Sequence, residues 1–342
     1  MDKRVIFAVA GAGKTKTIID KLSLEEKSLI VTYTDNNYSN LKQRVIKKFG
    51  YIPENTKIYT YFTFLYSFCY KPFLADRVKA KGIFWDMPSV ETLKLARDKP
   101  SFYMTKHKLL YHNRIAKLFE QMKTNNDINS RLEKYFDNLF IDEIQDFGGH
   151  DFNFLKEITK ANLNIMFVGD FFQHTFDTST DGRTNQSLHK NYITYKKEFQ
   201  KMGLTIDTES LNKSYRCSQT VCEFVNNNLK INIKSQRSDI TNIINIENEE
   251  EVKMIFRNNS IIKLFFQKAN TYDCYCINWG KSKGQDHYQD VCIVLNSTTL
   301  KHFKSSTLHE LAPSTKNKLY VACTRCRGDL IFIDEKKIKS II

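Results

Sequence analysis

Apolar and polar positions alternate along this chain in two distinct periods. Val5, Ile6, Phe7 and Val9 form a short β-prone run, and Ile18, Ile19 and Leu22 then recur at helical spacing. Residues 28–34 read as a buried strand, followed by a helix with Leu41, Val45, Ile46 and Phe49 on one face. Residues 57–64 predict another strand, running into the aromatic segment 65–73. From 71 to 138 the period becomes helical, as in Ile115, Leu118, Phe119 and Met122, with Lys and Arg interleaved. Strand character returns at 139–141 and 163–170, with a helix between them over about 152–158. Residues 178–188 are rich in Ser, Thr, Asp, Gly, Asn and Gln and read as a loop or inter-domain crossing. Beyond it comes a helix with Val221, Phe224 and Val225 on one face, then short strands within 243–266, 271–279, 290–295 and 330–333. Strands that alternate with helices predict an α/β fold on parallel sheets.

Composition changes this picture in two respects. A length of 342 residues allows two or three domains, and a net charge of +14 points to a polyanionic partner such as nucleic acid. The basic face of 71–138 could meet a phosphate backbone, although such runs more often form a solvated helix face. Eight cysteines, read mostly as lying in apolar strand-like runs, lack the spacing of a disulfide framework. A reducing, cytoplasmic setting is the expectation, with no signal peptide and no membrane-spanning run.

Candidate chemistry concentrates in a few stretches. Residues 8–15 (Ala-Val-Ala-Gly-Ala-Gly-Lys-Thr) lie between a strand and a helix, which is the setting of a phosphate loop. There the amides of Ala10, Gly11, Ala12 and Gly13 can curl around an anion, Lys14 can reach the outer phosphates, and Thr15 can hold Mg²⁺. Ala8 stands where the pattern wants glycine. A second hydrophobic strand ends in Asp142-Glu143, a carboxylate pair suited to holding the metal and placing a base beside it. Gln173 follows the strand at 163–170, at a sheet edge where it could sense a γ-phosphate. Tyr33, at another strand end, could present its ring to a nucleobase.

These stretches resemble the superfamily-one helicases of the UvrD/Rep type. The residues that carry the resemblance are the loop 8–15, Val31 to Asp35, Thr60 to Phe64, Asp142-Glu-Ile-Gln-Asp146, Val168-Gly-Asp-Phe-Phe-Gln173, Tyr215-Arg216, Ser282-Lys-Gly284 and Tyr320-Val-Ala-Cys-Thr-Arg325, in that order. The resemblance implies two RecA-like parallel-sheet domains in tandem: 1–70 with 139–208, carrying a short helical insertion at 71–138, and then 209–342. It implies ATP as the nucleotide, Asp142 and Thr15 on Mg²⁺, and Glu143 polarising the attacking water. Gln173 would link the γ-phosphate to the DNA site. Arg216 and Arg325 would close on that phosphate from the second domain, Tyr215 would stack on adenine, and Gly284 would belong to the nucleotide site. Tyr33, Phe62 and Phe176 would meet single-stranded DNA, on which the motor would run 3′ to 5′.

The departures from the family pattern are specific. The glutamine segment that reads adenine upstream of the phosphate loop is expected to be missing. Phe176 fills one of two positions usually held by base-stacking aromatics, while Thr178 fills the other, and Gln285-Asp286 replaces an apolar residue and a glutamate. Such a pared-down motor is expected to translocate but unwind poorly, with a partner, plausibly a nuclease in repair or in defence against foreign DNA, docking near Phe73, Trp85 and Tyr103. A nucleotide-gated switch that regulates such an effector is the alternative. Cys323 and Cys326 have metal-knuckle spacing, but Cys274 and Cys276 are wrongly spaced to complete a zinc site.

Overall fold

The computed structural model describes residues 1–341 apart from Asp177 and Thr180. The chain packs into two compact units, one made of residues 1–6, 15–169 and 176–207, the other of 7–14, 170–175 and 208–342.

The first unit is built on a six-stranded sheet. Its strands are β1 (Lys3–Phe7), β2 (Ser28–Thr32), β3 (Thr56–Thr60), β6 (Asn138–Ile141), β7 (Asn164–Gly169) and β8 (Thr205–Asp207), while β4 (Gly82–Phe84) and β5 (Leu109–Tyr111) form a separate pair within 71–138. The order across the sheet is β3-β2-β6-β7-β1-β8, so β6, β7 and β1 are consecutive. Pairings of β2 with β3 and β6, of β6 with β7 and of β1 with β8 are parallel. Every residue of β2 and β6 is buried, as expected for strands covered on both faces by crossover helices. The helix Asp35–Phe49 buries Leu41 and Val45 but leaves Ile46 exposed, one position narrower than the predicted stripe.

Two predictions for this unit need correction. The strand expected over 57–64 ends at Thr60, whose hydroxyl accepts from the Thr63 amide at 3.3 Å and caps a helical turn, Tyr61–Thr63. A π-helical segment, Phe64–Tyr70, and the helix Lys71–Val78 follow. Phe64, Leu65, Phe68, Cys69 and Tyr70 are buried, a helical pattern that the β-prone aromatics had masked. The region 71–138 is not wholly helical, since it includes β4 and β5, whose three-residue length is too short to leave a period in the sequence.

The second unit carries the two-residue strands β9 (Lys213–Ser214) and β10 (Lys234–Ser235) and a five-stranded sheet. That sheet comprises β11 (Ile243–Ile246), β12 (Ile262–Phe265), β13 (Cys276–Asn278), β14 (Val291–Leu295) and β15 (Leu330–Asp334), in the order β11-β15-β14-β12-β13 and all parallel. Its core takes in Val221 and Val225 of the helix Gln219–Leu229, Leu319 and Ala322 of the helix Pro313–Cys323, and Ala8, Val9, Ala10 and Ala12. Of the eight cysteines only Cys276 and Cys292 lie in strands; the others occupy helices and loops, contrary to the strand-like reading, and all eight are free thiols. No helix among the described residues is long and apolar enough to cross a membrane.

Candidate functional site: a phosphate loop, paired arginines and an aromatic track

The loop after β1 owes its shape to two glycines. Gly11 at φ +72° and Gly13 at φ +90° occupy the left-handed region that a side chain would strain. A Cβ on Gly11 would also lie 2.8 Å from both Arg216 Cβ and Ser214 Oγ, so the close approach excludes any other residue. Ala8 is not among the positive-φ positions, and its methyl packs into the apolar core of the second unit, which explains why glycine is not needed there. The helix Lys14–Lys21 starts at Lys14, so the loop leads straight into a helix N-terminus with its partial positive charge.

Residues of the second unit brace this loop through its backbone. The Val9 amide donates to Leu211 O at 2.9 Å, and the Tyr215 amide donates to Gly11 O at 3.0 Å. The Ala10 amide donates to the Tyr320 hydroxyl at 3.0 Å, which in turn donates to Asp170 Oδ2 at 3.0 Å. Burial, reinforced by the Asp170 charge, pushes the Tyr320 hydroxyl well above its ordinary range and keeps it a donor. Sequence reasoning had placed Tyr320 in a motif without assigning this bridge. Asp170 Oδ1 also accepts from the Phe172 amide at 3.1 Å and so shapes the turn that presents Gln173, itself buried.

Arg216 and Arg325 are both buried and converge on one atom. Arg216 Nη1 donates to Thr324 O at 3.0 Å while its Nη2 donates to Asp286 Oδ1. Arg325 donates through Nε to Val321 O at 3.1 Å and through Nη1 to Gln285 O at 3.4 Å, and Nη1 lies 3.7 Å from the same Asp286 Oδ1. Backbone carbonyls thus orient both guanidinium groups, and a single anionic oxygen can engage the two together. Gly284, at φ +82°, makes the turn that delivers Asp286. The Tyr215 side chain, beside Arg216, is 62% exposed.

In the first unit, Asp142 and Glu143 follow β6 and are buried. The Asp142 amide donates to Val31 O at 2.9 Å, and Asp142 Oδ1 accepts from the Glu143 amide at 3.0 Å. Glu143 takes φ +57°, a left-handed conformation uncommon for a non-glycine residue. Gln145 Nε2 donates to Glu143 Oε2 at 2.5 Å. Gly169 leaves room for this glutamine, since a Cβ there would lie 2.3 Å from Gln145 Oε1. Thr15 is half-buried in the first turn of its helix. No group of three His, Cys, Asp or Glu side chains suited to a metal occurs among the described residues. A carboxylate and a hydroxyl suit Mg²⁺, an ion commonly held by one or two protein oxygens together with substrate phosphates.

The three expected nucleic-acid rings come together in the first unit. Tyr33 lies 5.7 Å from Phe62 and 5.5 Å from Phe176, between ring centroids. Two further rings adjoin the group: Trp85 meets Phe62 edge-on at 4.9 Å, and His112 lies 6.1 Å from Trp85. Of the three docking positions expected in 71–138, Trp85 is exposed and Phe73 half-buried, but Tyr103 is buried within its own unit and offers no surface. Cys323 and Cys326 are likewise buried in the core of the second unit.

A glycine-shaped loop before a helix and two convergent arginines in the second unit, and a buried carboxylate pair after a parallel strand in the first, are marks of the phosphate-loop class of proteins. Within that class the chain belongs to the superfamily 1 helicases: the model of the viral superfamily 1 RNA helicase core domain matches residues 91–334, and that of an AAA domain matches residues 2–177. A probable DNA helicase II homolog of Mycoplasma genitalium is 21% identical over 289 residues, which are 65% of this chain and 40% of that protein. Arterivirus nonstructural protein 10, a helicase solved in complex with DNA, is 12% identical with a TM-score of 0.50, covering 97% of this chain and 61% of its own. The PRRSV helicase is 13% identical with a TM-score of 0.48, covering 99% and 54%. The chain therefore spans about 40% to 60% of the length of these relatives.

Proposed function

We propose that this chain is an ATP-driven motor that moves along single-stranded DNA. The observation that carries the reading is the convergence of Arg216 and Arg325 on a single carboxylate oxygen, in the unit where the phosphate loop packs against Arg216. A γ-phosphate is the anion such a pair is suited to receive, with Asp286 holding the two charges until it arrives. In this reading Lys14 and the amides of Gly11 and Gly13 hold the phosphates, the Ala10 and Ala12 amides being engaged by Tyr320 and Val9, while Tyr215 stacks on the base and Gly284 gives Asp286 its place. Thr15 and Asp142 would hold Mg²⁺, which when bound neutralises phosphate charge. Glu143, fixed by Gln145, accepts the proton of the attacking water. Gln173 senses the γ-phosphate, and its turn is set by Asp170, whose other oxygen is tied through Tyr320 to the phosphate loop.

Tyr33, Phe62 and Phe176 form the stacking surface for the strand, and the +14 charge supplies its electrostatic attraction. This clustering favours the motor over the nucleotide-gated switch, which has no need of base-stacking rings. Polarity is proposed as 3′ to 5′, after the UvrD/Rep resemblance. A partner, a nuclease in repair or in defence against foreign DNA, supplies the grip on duplex that the short insertion does not. The test compares streptavidin displacement from biotinylated single strands with separation of a tailed duplex by the purified chain. ATP-dependent displacement from one end with poor unwinding is expected. No displacement from either end, on DNA or RNA, would refute the motor, and efficient unwinding by the chain alone would remove the partner from the account.

A further inference from the structure

β4 and β5 pair in parallel with Phe84 opposite Tyr111, so the residues that leave the two strands, Trp85 and His112, emerge side by side. His112 Nδ1 lies 3.3 Å from Phe84 O, and its ring sits 26° from the plane of Trp85. Trp85 is 61% exposed although one edge rests on Phe62. A tryptophan seldom keeps this much ring in water without a partner to cover it.

Trp85 also stands on a rigid base. Arg114 and Lys117, a few residues beyond His112, bind the buried Asp181 at 3.2 and 2.8 Å, and Ser179 Oγ donates to Asn113 O at 3.1 Å. The segment that carries Phe176 is thereby tied to the insertion that carries Trp85.

We propose that Trp85, backed by His112, is a further base-stacking position for single-stranded nucleic acid, contributed by the insertion and continuing the line Phe176, Tyr33, Phe62. The proposal rests on the motor reading above and extends it to a residue outside the helicase motifs. The ligand is a nucleobase because the exposed face prolongs an existing row of rings in a strongly basic chain, and every base offers a π-face to such a ring. Trp85 then occupies bases, in place of the protein partner suggested by its exposure alone.

The chain has only two tryptophans, and the other, Trp279, is fully buried in the second unit, so a change in tryptophan emission on strand binding reports chiefly on Trp85. Oligo(dT) and oligo(rU) are titrated into the wild type, Trp85→Ala and Trp85→Phe, following tryptophan emission and the anisotropy of a labelled strand. Quenching in the wild type is expected, with affinity about tenfold weaker in Trp85→Ala and largely restored in Trp85→Phe. ATP turnover without a strand should be unchanged in both variants. Strand binding undiminished in Trp85→Ala, with no emission change in the wild type, would overturn this proposal alone. Absence of strand binding by the wild type would overturn the motor reading and this proposal with it.

Discussion

Replacing Asp181 with asparagine removes the only negative charge from a buried ion triad and leaves the side chain's shape intact. The side chains of Arg114, Lys117 and Asp181 are 1%, 9% and 5% exposed, so water cannot take over the neutralisation. Arg114 keeps Thr92 Oγ1 at 3.0 Å, Phe102 O at 2.6 Å and the Phe102 ring 4.0 Å from its Cζ, but none of these carries a charge. Breaking a buried pair on one side costs about 3–5 kcal/mol, against about 0–1 kcal/mol for an exposed pair. The first unit should therefore lose roughly 4 kcal/mol at neutral pH, read from the midpoint of urea unfolding.

The pH dependence of this loss has a definite sign. Burial alone would raise the Asp181 carboxyl, but the hydrogen bond from Lys117 and the charge of Arg114 outweigh it and hold the group below its ordinary 3.8. Its contribution is thus present above that value and disappears as pH falls through the lower folded-state value, so wild type and variant should converge in acid. A loss under about 1 kcal/mol at pH 7 would mean that the triad is solvated, which would refute the reasoning.

Three further outcomes are expected. Glu143→Gln should abolish turnover yet still bind a fluorescent ATP analogue, and turnover at the wild-type rate would remove Glu143 as the base. Arg325→Ala, which leaves Asp286 to Arg216, should lower turnover about a thousandfold or more with nucleotide affinity changed far less, and a near-normal rate would exclude the arginine from the γ-phosphate site. Asp151 is fully buried, neither of its carboxyl oxygens meets a well-aligned donor, and burial raises it to about 7 against the opposing influence of Thr178 and Tyr61. The folded state then holds a proton that the unfolded chain gives up near pH 4, so stability falls by up to roughly 4 kcal/mol as pH rises from 4 to 7. Asp151→Asn should flatten that slope in urea titrations, and an unchanged slope would show that the group is ionised in the fold.

Much of this was legible in the sequence because the candidate site is built from contiguous stretches whose backbone shape is local. Gly11 and Gly13 at positive φ, the carboxylates after β6 and the turn before Gln173 each follow from residues within a few positions of one another. The contacts that organise those stretches were hidden, because they join residues far apart. The Tyr320 hydroxyl bridges Ala10 and Asp170 across 310 and 150 positions, and Asp181 neutralises Arg114 and Lys117 across more than 60. Lys117 lies in 71–138, whose basic face had read as meeting a phosphate backbone or solvent while its acidic partner sat in a polar loop. Trp85 and His112 meet only because two three-residue strands pair in register, and strands so short carry no period. The strand predicted through Phe64 failed for the opposite reason, as local β-propensity gave way to a threonine cap and to tertiary burial.

ATP hydrolysis by this chain is expected to be coupled to a single strand of nucleic acid. Steady-state ATP turnover by the purified chain, measured with and without oligo(dT) and oligo(rU) over a range of salt, tests it most directly. A low basal rate should rise severalfold with the strand, an effect that fades steeply as salt increases because a +14 chain releases counterions from several phosphates. A rate that is the same with and without either strand, and indifferent to salt, would contradict it.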